Sequence, residues 1–129
     1  SQLFAQSSRA LPITWGKWEE AYSSSLLKLE VLRAIDHARI TRQLSAHELS
    51  NLVPLFLQFE QTIGHIPISD VILQRASVAF PAVIRTRGAI HLASAMHWKE
   101  NERKEIVILT HDSQLGLAAR AVGLQAEGF

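Results

Sequence analysis

Apolar and polar positions change period several times along this chain. Residues 106–109 (Ile-Val-Ile-Leu) give the strongest strand signal: short, continuous and rich in β-branched side chains, like a parallel strand covered on both faces. Residues 21–24, 65–68 and 124–126 read as further short strands, and Pro67 assigns the second of these to a sheet edge or a strand end. Between them the period is helical. Leu27, Val31, Ala34, Ile35 and Ala38 fall on one face, predicting a helix capped by Ser24 or Ser25 that runs to about Gln43. Ser45 and Glu48 have capping-box spacing and open a helix to about Thr62, striped by Leu49, Leu52, Val53, Phe56 and Phe59 or Glu60. Pro54 should kink or weaken it, and Gly64 should end it. Ser69 and Asp70 cap a helix carrying Val71, Leu73, Ala76 and Phe80. Thr86 opens another, with Ala89, Leu92, Ala93 and Met96 on one face, and residues 115–121 form a last helix stopped by Gly123. At the start, residues 3–9 read as a short helix ended by Leu11-Pro12, and Thr14 as the cap of a second over residues 15–20. Strands separated by helices predict an α/β fold, a short, mostly parallel sheet between helical layers, as one domain over residues 1–129.

Composition narrows the class. With 47% hydrophobic and 19% charged residues, the chain is not a disordered one. Its 13 basic and 12 acidic residues are spread evenly, so no basic tail or acidic arm speaks for a partner. Cysteine is absent, which excludes disulfides, thiol catalysis and thiolate metal sites. Apolar runs fall far short of a membrane span, and no secretory signal pattern opens the sequence, predicting a soluble, cytoplasmic protein.

Two carboxylates stand out. Glu30 lies three residues after Leu27 and four before Ala34, so it points toward the apolar face of its helix. A carboxylate there needs a partner or a metal. A rim position paired with Arg33 would also satisfy it. Asp112 follows the strongest strand directly, where open α/β sheets bind ligands. It is equally well placed to cap the next helix. The six histidines form no metal motif, since His91 and His97 miss i, i+4 spacing. Ser23-Ser24-Ser25 lacks a nucleophile-elbow context and reads as turn and cap chemistry.

Three segments taken together resemble the PIN-domain family, in particular the VapC-type toxin ribonucleases. They are Tyr22 to Ala34 (YSSSLLKLEVLRA), Arg85 to Ala95 (RTRGAIHLASA) and Val107 to Leu124 (VILTHDSQLGLAARAVGL). The resemblance implies a three-layer α/β/α domain with acids at the carboxyl edge of its sheet. Those acids would hold Mg²⁺ or Mn²⁺ for metal-dependent cleavage of RNA. It assigns Glu30 and Asp112 as catalytic and metal-binding residues that meet in one hollow. Gly88 stands where the family carries a third acid. The family's first strand, with its Asp, has no counterpart ahead of Ser1. With two of four acids absent, the implied function is a weakened metal-dependent ribonuclease of toxin–antitoxin type. The alternative is a non-catalytic PIN-like module that binds RNA or a protein.

Lys28, Arg33, Arg85, Arg87 and Arg120 are candidate RNA contacts, by their charge beside the expected phosphate position. The resemblance further implies a homodimer and an antitoxin protein as partners. Leu3, Phe4, Trp15, Trp18, Leu52, Phe56 and Phe59 are either surface for those contacts or core.

Overall fold

The computed structural model describes residues 2–6, as backbone, and residues 20–129. Its strands are β1 (Gln2–Gln6), β2 (Glu20–Ser24), β3 (Gly64–Ile66), β4 (Ile106–Thr110) and β5 (Gln125–Glu127). Its helices are α1 (Leu26–Ile40), α2 (Ala46–Glu60), α3 (Asp70–Ala76), α4 (Thr86–Glu102) and α5 (Ser113–Ala121). The strands form one sheet in the order β3-β2-β1-β4-β5, and every pairing is parallel. The chain steps outward in one direction from β2 to β3 and in the other from β4 to β5. Right-handed crossovers therefore place α1 and α2 on one face of the sheet and α5 on the other. α4 lies with α5 and also packs against α3. The result is the expected α/β architecture.

The core is carried by α4, β4 and α5. Every residue of β4 is buried, as its unbroken apolar run predicts. Leu92, Ala93 and Ala95 of α4 meet Ile106 and Ile108, and Leu115, Ala118 and Ala119 of α5 complete the cluster. Ser45 and Glu48 make both bonds of a capping box at the start of α2.

The first segment departs from expectation. Residues 2–6 form a strand, not part of a helix, and it lies at the centre of the sheet. It pairs with β2 from Gln2↔Glu20 and with β4 from Gln2↔Ile106 to Gln6↔Thr110. So short a segment has little helical stability of its own, whereas strand pairing on both sides satisfies its backbone and that of its neighbours. The sheet thus has an N-terminal strand in its middle, in place of the gap implied ahead of Ser1. The helix expected over residues 15–20 lies outside the described residues except for Glu20, which opens β2.

Three smaller differences have local causes. Gly64 does not merely end α2. It opens β3 opposite Tyr22, whose ring fills the space a Cβ would need. In α3, Ile72 is buried while Val71 and Leu73 are exposed. The inward face is Ile72 with Ala76, and Phe80 packs on the core from beyond the helix end. Pro54 leaves α2 continuous, because its position is exposed and solvent can satisfy the carbonyl that loses its helical partner. β3 stops before Pro67 at the sheet edge, as anticipated.

Candidate functional site

β1 and β4 are neighbours, yet the chain leaves them toward opposite edges of the sheet. β2, the next strand after β1, and β5, the next after β4, lie on opposite sides of this pair, a topological switch point where open α/β sheets bind ligands. Gln6 ends β1 in register with Thr110, and Asp112 follows two residues later. A hollow of about 310 Å³ opens here, lined by Glu30, Arg85, Arg87, Gly88, Asp112 and Gln114. Glu30 and Asp112, far apart in the chain, therefore share one site.

Glu30 enters from the second turn of α1 with its side chain only 12% exposed. Its Oε1 is hydrogen-bonded to His91 Nε2. Its Oε2 faces Arg87, whose Nη1 lies at 3.5 Å. Arg87 and His91 are four residues apart on α4, so they share a helix face and reach the same carboxylate. His91 is fully buried, and its Nδ1 lies 3.1 Å from Ser24 Oγ. That oxygen also accepts from the Leu26 amide at 3.2 Å. Ser24 Oγ is thus shared between the Leu26 amide and the imidazole, whose other ring nitrogen meets Glu30. The chain Ser24–His91–Glu30 ties the end of β2, the start of α4 and the second turn of α1 together. Ser24 is wholly buried, consistent with a structural rather than a nucleophilic role.

Asp112 is exposed at the start of α5. Its Oδ1 accepts from the amides of Gln114 at 2.9 Å and Leu115 at 3.2 Å. Its own amide donates to Thr110 Oγ1 at 3.0 Å. The capping reading is therefore correct, and the same side chain also lines the hollow. Gly88 lies in the wall. A Cβ there would press on Ile84 Cγ1 at 3.0 Å, a side chain able to shift.

The basic candidates divide. Arg85 and Arg87 line the hollow, but Lys28 and Arg33 do not. Lys28 faces Glu60 at 3.8 Å. Arg33 pairs with Asp36 at 3.1 Å, not with Glu30 as the rim reading supposed. Arg39 also binds Asp36, and its hydrogen bond is the main reason that carboxyl is held below its ordinary value. Arg120 donates to the Ala126 carbonyl and lies over the Phe129 ring, away from the hollow.

His91 and Gln114 were not singled out from the sequence. The signal for His91 was its position four residues after Arg87, on the face that meets Glu30. Among the described residues, no group of three or more His, Cys, Asp or Glu side chains is arranged to hold a metal ion. Among the described residues, no helix is long and apolar enough to cross a membrane. No protein-family model matches this chain, and no curated protein matches it.

Proposed function

We propose that this chain is a PIN-like, divalent-metal-dependent ribonuclease of the toxin–antitoxin type, weakened because Gly88 stands in place of the family's third acid. The observation that carries this reading is the meeting of Glu30 and Asp112 in one hollow beyond the strand ends, with Arg85 and Arg87 beside them. The donor set fits one hard cation. Glu30 Oε2 and Asp112 Oδ2 are the oxygens not taken by His91 or by the α5 cap, and a hollow of this size has room for the waters Mg²⁺ retains. Among the described residues no third acid joins them, so the donor set is that of a single cation. A bound Mg²⁺ or Mn²⁺ would supply a water of lowered pKa and charge neutralisation at the phosphate. Around it, Arg85 and Arg87 attract the RNA backbone, His91 holds Glu30 in place, and the α5 cap orients Asp112. A homodimer and an antitoxin partner belong to the same proposal. Exposed Leu29, Leu52, Leu55 and Leu57 on α1 and α2 offer apolar surface for such contacts.

One observation favours the alternative, a non-catalytic module that binds RNA or a protein. Arg87 already faces the Glu30 oxygen a cation would use. Cleavage of a mixed RNA pool with Mn²⁺ separates the two readings, comparing this chain with Asp112→Asn and Gly88→Asp. Asparagine caps helices as well as aspartate does, so Asp112→Asn removes the charge and keeps the fold. The ribonuclease reading expects slow cleavage, lost in Asp112→Asn and raised in Gly88→Asp. Absence of cleavage in all three overturns it in favour of the module.

A further inference from the structure

Glu30 offers the hollow a single oxygen. Oε1 is bound by the buried imidazole of His91, itself held by Ser24, whose Oγ accepts from the Leu26 amide. That leaves Oε2, and Arg87 Nη1 lies against it at 3.5 Å. The arginine side chain is 77% exposed, so the contact is loose and little prevents the guanidinium from swinging into solvent. Arg85 lines the same hollow without a contact to Glu30 among its hydrogen bonds or ion pairs in the described residues. The two positive charges therefore differ in kind: one faces the liganding oxygen, the other only contributes to the local field.

We propose that Arg87 and a divalent cation compete for Glu30 Oε2, so that Arg87 sets how tightly the hollow takes metal. This rests on the reading of Glu30 and Asp112 as cation ligands. Arg87 is an internal counter-ion, occupying the cation's place until the cation displaces it. When displaced, the guanidinium is released toward solvent at the mouth of the hollow, where an RNA phosphate would lie. His91 has the complementary role: it withholds one Glu30 oxygen and thereby makes the contest for the other exclusive.

The test is Mn²⁺ binding, read from the free-ion paramagnetic resonance signal at near-physiological salt, with no RNA present. Arg87→Ala should bind Mn²⁺ about three- to five-fold more tightly than the parent chain, the scale of one exposed ion pair. Arg85→Ala should gain less than half of that, since it removes only screened, longer-range repulsion. The gain from Arg87→Ala should vanish when Glu30 is also Gln, which isolates the pairwise contact. Equal gains from the two arginine variants, no gain from Arg87→Ala, or a gain that survives Glu30→Gln would each overturn the proposal. So would failure of Arg87→Ala to bind Mn²⁺ at all. Mn²⁺ binding that follows the expected pattern while RNA stays intact would sink the ribonuclease reading and leave this one standing.

Discussion

On one side of the sheet, α4 buries six of its residues and α5 four, around a β4 that has no exposed position. On the other side, α1 and α2 are 15 residues each and contribute one buried residue, Leu27. The hollow lies where these two regions meet, and each supplies one acid. Asp112 comes from the densely packed side and is fixed by two amides of its own helix. Glu30 comes from the sparsely packed side and is held by a histidine sent across from α4. A carboxylate on a loosely buried helix has been given an anchor from the rigid half, which makes the site's geometry less dependent on how α1 and α2 are held.

That contrast breaks most readily in the core. Leu92→Ala, at a position with no exposure, should cost about 2–5 kcal/mol in urea unfolding, whereas Leu55→Ala on α2 should stay within about 0.5 kcal/mol. Similar losses at both would mean that α1 and α2 contribute as much core as α4. The anchoring of Asp112 is next in size. Asp112→Ala should lose about 1 kcal/mol by freeing the amides of Gln114 and Leu115, while Asp112→Asn should lose only a few tenths. Equal losses would show that charge, not capping, holds this turn.

The smallest expected effect concerns the tie between α3 and α4. Arg75 grips Glu100 through two bonds, the Nη2–Oε1 bond at 2.6 Å, and that hydrogen bonding is the main reason the Glu100 carboxyl is held below its ordinary value. A lowered folded value means the pair stabilises the fold above pH 4.5, the group's unperturbed value, and loses that contribution as pH falls through the folded value. More than half of Glu100 is exposed, so solvent screening limits the contribution to about 1 kcal/mol at most. Glu100→Gln should therefore reduce stability at neutral pH and flatten its decline in acid. A parallel decline in both proteins would show that the pair contributes nothing.

Local features were legible in the chain. The capping box at Ser45 and Glu48, the buried strand over residues 106–109 and the Asp112 cap depend on residues within a few positions of one another, and each stands as its spacing predicts, the strand running one residue further to Thr110. The joint placement of Glu30 and Asp112 was anticipated through a resemblance in three segments, since no local rule links positions so far apart. The Glu30 partners were not anticipated. Arg33 was the near candidate at i+3, but it turns to Asp36, and the true partners lie on α4.

What the sequence determined by itself is most of the periodic elements from residue 20 onward and the caps at Ser45, Ser69 and Asp112, because those are decided by side-chain spacing and by the first turn of each helix. Ser25 precedes α1 without a side-chain cap bond. Tertiary structure alone decided the rest. Residues 2–6 became a strand because β2 and β4 offered backbone partners on both sides. Gly64 became a strand residue because the Tyr22 ring needed its missing Cβ. His91 became the holder of Glu30 because α1 and α4 bring together two groups that are costly to bury separately, and each satisfies the other.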